Sequence, residues 1–183
     1  MDIVSKIKEY SHHVNSVTQI IASDNIEKII SYIRQIPVLC SINIKSAKNR
    51  CLRNNHPKKY HPIKVFKGEI YNACITENAG SELSSNHLVI IIQGFSSNVY
   101  GEKVTVLPIE GDGWKINPHY QIKLINEDLE EGLLDKNPSR IIFTDITTID
   151  KARLDKKIGK LSTDKLEEIN RSILSHLDIK HTF

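Results

Sequence analysis

The sequence predicts an α+β fold, mainly β, in which short strands close into a small barrel or sandwich flanked by helices. Three observations carry this. Residues 3–36 repeat apolar side chains at helical spacing, residues 65–146 alternate short apolar runs with turn residues, and residues 162–177 return to a helical stripe. A chain of 183 residues suits one domain with an accessory segment.

At the start of the chain, Ile3, Ile7, Tyr10, Val14, Val17 and Ile21 recur at alternating steps of four and three, which places them on one face of a helix. Asp24 and Glu27 form a capping box for a second helix, with Ile26, Ile29, Ile30 and Ile33 as its stripe and an end expected before Pro37. The pair reads as an αα-hairpin that either packs on the main domain or joins two copies of the chain through a heptad-like seam. Residues 37–64 read as a connector with Pro37, Pro57 and Pro62 and a short helix near residues 45–53. The expected organisation is a basic helical extension and connector over 1–64 and a barrel domain over 65–183.

Within the barrel, "VFKGEIYNACI" alternates in part, whereas "LVIIIQ" is a continuous apolar run, as expected of a strand buried on both faces. "KVTVLPI", "YQIKLI" and "SRIIFTDI" supply further strands, and "GFSSNVYGE" and "EGDGWKINPH" hold the residues turns require. "TIDKARLDKKIG" reads as a short helix stopped at Gly159. Ser162 then caps a last helix whose first turns carry Asp164, Glu167 and Glu168 and whose stripe is Leu166, Ile169, Ile173, Leu174 and Leu177.

Charge divides the chain. Residues 1–64 hold 11 Lys and Arg against 4 Asp and Glu, net +7, and residues 65–183 hold 14 against 18, net −4. The excess peaks in "KSAKNRCLRNNHPKKYHPIK", seven basic residues with no acid. Two readings stand for it: a solvated linker, or an arm that faces a polyanion. Three cysteines at wide spacing (Cys40, Cys51, Cys74) form neither a disulfide framework nor a zinc site. No apolar run reaches the ~20 residues of a membrane span, and "MDIVSKIKEY" lacks a secretory core. A cytoplasmic location with reduced thiols is expected.

In "GSELSSNHLVIIIQGF", a loop of hydrogen-bonding residues and one imidazole precedes the apolar run. Five pieces stand in a recognisable order: "KGEIY", "GSE", "VIIIQ" with Asn98 and Tyr100, "VTVLPI", and "GLLDKNPSRIIFTDITTIDKARLDKKIGKLS". Together they resemble the MazF/PemK family of toxin endoribonucleases over about residues 65–178, with "TIDKARL" followed by "IGKLS" the most specific signature. The resemblance implies an SH3-like, CcdB/MazF-type barrel with a C-terminal helix. It also implies a homodimer with RNA across its interface, cleavage of single-stranded RNA (mRNA) without metal or other cofactor, and an antitoxin partner whose flexible acidic segment covers the RNA groove.

Such cleavage needs a proton acceptor for the 2′-OH, donors for the phosphorane and an acid for the departing 5′ oxygen. The resemblance places His87 where the family usually has Arg, and Glu110 where it has Thr or Ser. His87 is expected as acid or base and Glu110 as its partner. An imidazole lacks an arginine's permanent bidentate grip on phosphate, and a lone carboxylate repels the phosphate it serves. A catalytically degenerate binding module and a CcdB-like topoisomerase inhibitor are therefore the alternatives.

Other candidates carry two roles each. Glu82 orders the "GSE" loop or joins proton transfer, and Ser84 and Ser85 form turns or donate to phosphate. Gln93 closes the barrel mouth or touches a base. Asn98, Tyr100 and Trp114 pack or meet RNA, a ring such as Trp114 gaining ~1–3 kcal/mol from a stacked base. Lys103 and Lys115 are phosphate-contact candidates.

Overall fold

The computed structural model describes residues 3–20 and 26–179. The chain divides into two compact units, residues 1–39 and 40–183. Helix α1 spans Ile3–Ile20 and α2 spans Ile26–Asn55. Along them the described stripe residues Ile7, Tyr10, Ile26, Ile30 and Ile33 are exposed. The side chains of Ile3, Val14, Val17 and Ile21, and the Asp24 cap, lie outside the described residues.

The expectation that the second helix stops before Pro37 is corrected: α2 runs through Pro37 to Asn55. Proline removes one backbone donor and costs a helix interior about 3 kcal/mol, and the boundary between the two units falls shortly after it. Beyond that boundary the helix is tied down by side chains. Lys45 donates to the Leu154 carbonyl at 2.9 Å, Ser46 to Asp150 at 2.7 Å, and Arg50 and Arg53 both reach Glu102 at 3.1 Å. The Arg50 hydrogen bond holds the Glu102 carboxyl below its usual range. Tertiary anchoring thus prolongs a helix that local sequence would end.

Eight antiparallel strands follow: β1 (Glu69–Cys74), β2 (Asn86–Ile91), then, after helix α3 (Phe95–Tyr100), β3 (Lys103–Glu110), β4 (Gln121–Leu124), β5 (Leu129–Gly132), β6 (Ser139–Ile142), β7 (Thr147–Asp150) and β8 (Leu154–Leu161). Helix α4 (Thr163–His176) closes the chain. The sheet order is β4-β6-β3-β2-β1-β8-β5, a curled half-barrel in which β7 also pairs with β3. One edge of β3 meets two short strands in turn, β7 along Lys103–Val106 and β6 at Ile109 and Glu110.

The strands bury both faces. Ile70, Ile90, Leu107, Ile109 and Ile141 form one core with Ile169 of α4. Tyr71, Ala73, Val89, Ile91, Val104 and Val106 form the other with Ile149 and Leu154. This is why β2 reads as an unbroken apolar run. Helix α4 starts as its sequence indicates, with the Ser162 hydroxyl accepting from the Lys165 N–H, and packs Leu166, Ile169 and Ile173 inward. Leu177, past the last turn, is exposed.

A second correction concerns "TIDKARLDKKIG". Only Lys151–Arg153 forms a turn of 3-10 helix, capped by Asp150, and Leu154–Leu161 is a strand. Gly159 does not stop a helix. A Cβ there would lie 2.3 Å from the Glu131 carbonyl, so glycine permits β5 to pair against β8. Strand pairing with β1 and β5 overrides local helical spacing.

Lys151 is fully buried, its ammonium donating to the Asn98 carbonyl at the end of α3. Burial pushes this lysine down to about 8. Between pH 8 and the unfolded value near ~10.4, the unfolded chain holds a proton that the folded one has released, so stability rises with pH by up to ~1.4 kcal/mol per unit. Above about pH 10 the trend reverses, because burial raises the Tyr71 hydroxyl and the folded chain then retains a proton the unfolded one loses. Urea unfolding at pH 7.5, 8.5 and 9.5 tests this: the midpoint of the parent should climb while that of Lys151→Met stays flat. Parallel curves would refute it.

Candidate active-site cleft

The polar row of the sheet is built by register. Leu88 pairs with Ile109, Ile109 with Ile141, and Ile141 with Ile122, an apolar row across four strands. One step further, Glu110 pairs with Arg140 and Arg140 with Lys123, and continuing the β2–β3 register one residue beyond its last pair, Leu88–Ile109, brings His87 level with Glu110. Residues directly opposite share a face, so His87, Glu110, Arg140 and Lys123 line up across about 14 Å of sheet.

His87 and Glu110 line one open cleft of about 540 Å³, together with Asn86, Asp112, Asp135 and Lys136. The half-buried His87 ring places Nε2 2.6 Å from the Ser84 carbonyl. A carbonyl only accepts, so Nε2 carries a proton and Nδ1 is the ring atom left to exchange one. Glu110 Oε2 accepts from Arg140 twice, from Nε at 2.9 Å and from Nη2 at 2.5 Å, which leaves Oε1 unengaged by that pair. Arg140 Nη1 also donates to the Lys115 carbonyl at 3.3 Å. Gly111 admits the second cation: a Cβ there would lie 2.1 Å from Lys136 Cδ, so the lysine stem folds over the glycine. Trp114, 79% exposed, sits beside the row with the Lys123 ammonium 5.6 Å from its ring centre.

The structure brings His87 and Glu110 together and disperses several other candidates. Glu82 lines a separate cleft with Asn78, Thr144 and Asp145. The Ser84 hydroxyl accepts from the Asn78 N–H, and the Ser85 hydroxyl donates to Glu77, so both order the loop. Gln93 and the fully buried Asn98 bond each other, and Gln93 accepts from Thr105, a network that fixes α3. Tyr100 stands at the opposite end of β2 against Tyr60, and Lys103 begins β3 at that same end. Lys115 lies next to the row through its carbonyl.

Sequence reasoning missed Arg140, Lys123 and Lys136. Arg140 is the one charged residue of "SRIIF" and stands half-buried while Ser139, Ile141, Ile142 and Phe143 are buried. Only sheet register shows that it meets Glu110.

Residues 66–177 match the PemK-like, MazF-like toxins of type II toxin–antitoxin systems, and the chain belongs to this family. It is 35% identical over 109 residues to the endoribonuclease MazF of Staphylococcus saprophyticus subsp. saprophyticus, a match covering 58% of this chain and 86% of that protein. Its fold is similar to the crystal structure of MazF (Form-I) from Deinococcus radiodurans, with TM-score 0.53, 15% identity, and 64% and 99% of the two chains covered. The MazE–MazF crystal structure (Form-II) from the same organism gives TM-score 0.50 at 15% identity, covering 64% of this chain and 99% of that one. Residues 1–65 lie outside the family match.

Proposed function

We propose that this chain, a MazF-like type II toxin endoribonuclease, cuts single-stranded RNA in the cleft between His87 and Glu110. One observation carries the reading. An imidazole and a carboxylate held by a guanidinium line one cleft, beside an ammonium that has no carboxylate partner among the described residues.

Glu110 Oε1 accepts the proton of a ribose 2′-OH, whose oxygen attacks the adjacent phosphorus. As the P–O5′ bond breaks, an imidazolium at His87 gives its Nδ1 proton to the departing 5′ oxygen, while Ser84 holds the ring through Nε2. Arg140 removes the repulsion that an isolated carboxylate would exert, and Lys136 offsets charge on the phosphorane oxygens. The products are a 2′,3′-cyclic phosphate and a 5′-hydroxyl, and solvent returns the proton from Glu110 to His87. Trp114 offers an adjacent ring on which a base stacks.

The partners that accord with this reading are RNA, a MazE-type antitoxin and a second copy of the chain. No helix among the described residues is long and apolar enough to cross a membrane, and the three cysteines are unbridged, which suits the cytoplasm. The test is incubation of purified protein with a mixed-sequence RNA in the presence of a metal chelator, with mapping of product ends. Fragments ending in cyclic phosphate are expected. Intact RNA, or ends of another chemistry, would remove the proposed reaction.

A further inference from the structure

The cleft is poorly charged for its substrate. Glu110, Asp112 and Asp135 face Lys136 and, behind Glu110, Arg140, so affinity for a polyanion must come from elsewhere.

At the other end of β2, about 17 Å along the strand, the connector and α3 enclose a slot of about 220 Å³. Two aromatic pairs line it. Tyr60 meets Tyr100 with ring centres 5.5 Å apart, and Phe66 stacks with Phe95 at 6.4 Å with planes 22° apart. His56 extends the first pair by stacking on Tyr60 at 5.2 Å. Phe66, Phe95 and Tyr100 remain 47%, 65% and 50% exposed, a cost in water that a stacked ligand would relieve. The slot falls below the ≈ 300–1,000 Å³ of drug-sized sites and suits one flat ring system.

The charge around it is of one sign. Lys64 lines the slot, and Lys58 lies over Tyr60 at 6.0 Å. Lys59 donates to the Asn54 carbonyl. No carboxylate lines the slot, and among the described residues none of these three lysines has an acidic partner. Of the seven basic residues in the connector run, Arg50 and Arg53 are engaged by Glu102, and Lys45 and Lys59 by backbone carbonyls. Among the described residues Lys48, Lys58 and Lys64 are not so engaged.

Exposed aromatic faces flanked by ammonium groups without acidic partners are the surface that takes unpaired nucleotides, bases against rings and phosphates against lysines. We propose that this slot is a second RNA subsite, which holds an unpaired base of the strand whose scissile phosphate lies in the cleft. The proposal rests on the ribonuclease reading. It goes beyond the family match, because Tyr60–Val65 precede that match and build half of the slot.

The test is fluorescence anisotropy with a fluorescein-labelled 2′-O-methyl oligoribonucleotide of about 16 nucleotides, which cannot be cut through its 2′ oxygens. The Phe66→Ala/Phe95→Ala variant should bind roughly 5- to 150-fold more weakly, the loss of one stacked base. Phe66→Tyr/Phe95→Tyr should bind as the parent does. A separate variant on exposed positions, Lys58→Gln/Lys64→Gln, should reduce the slope of log K against log salt by ~0.7 for each phosphate no longer neutralised. Unchanged affinity in the alanine variant and an unchanged salt slope in the lysine variant would overturn the subsite while leaving the nuclease reading intact. So would unchanged RNA affinity accompanied by loss of self-association, which would assign the slot to a second copy of the chain. Weakened binding with no cyclic-phosphate ends would leave the subsite standing and remove the nuclease. A parent that binds no RNA would remove both.

Discussion

His87→Ala is expected to cleave RNA about 10²- to 10⁴-fold more slowly than the parent, the range over which a positioned general acid or base acts. Among the described residues the ring's only hydrogen bond goes to the Ser84 carbonyl, and it is half-buried at a cleft rim rather than set in either core. Its removal should therefore leave thermal melting nearly unchanged, and affinity for an uncleavable RNA should persist. The measurement is single-turnover cleavage with melting as the control. Undiminished cleavage would take His87 out of the chemistry, and a rate loss matched by a collapsed melting transition would make it a structural residue.

The second large effect is expected at Arg140. Arg140→Ala should lower cleavage by about 10²- to 10³-fold, as when an electrostatic donor at a reacting centre is removed. Glu110 would then face the phosphate with no guanidinium on its Oε2. Lysine should restore little, because a single ammonium nitrogen cannot reproduce the planar fork in which Nε and Nη2 both donate to one oxygen. The pair is partly exposed and worth at most ~1 kcal/mol in stability, so melting separates a catalytic loss from an unfolding one. Combining Glu110→Gln with Arg140→Ala discriminates further. If Arg140 acts by offsetting Glu110, the double variant should fall no lower than the poorer single one; additive losses would show that the two act independently.

The contrast between strands explains what the sequence disclosed. β2 was legible because both its faces are buried and its apolar run is unbroken, and α4 because Ser162 caps a clean stripe. β8 was not, because "DKKIGKL" carries charge at helical intervals and its strand state depends on neighbours from distant parts of the chain. Likewise α2 outruns Pro37 through bonds to Leu154, Asp150 and Glu102, each about a hundred residues or some fifty residues away. In the cleft, His87 and Glu110 were found by comparison with a family pattern. Arg140 stands thirty residues from Glu110, and no local spacing connects the two. Gln93 and Asn98, chosen as RNA contacts for their place beside a loop, turn out to satisfy one another.

The polar row and the apolar row are successive steps of the sheet register, the first holding the half-buried Glu110 and Arg140 with His87 level with them, the second turning Leu88, Ile109 and Ile141 toward the core. A slip of one position in β2, β3 or β6 would move His87, Glu110 or Arg140 to the opposite face of the sheet. The pairing that packs the core is therefore the same pairing that assembles the cleft.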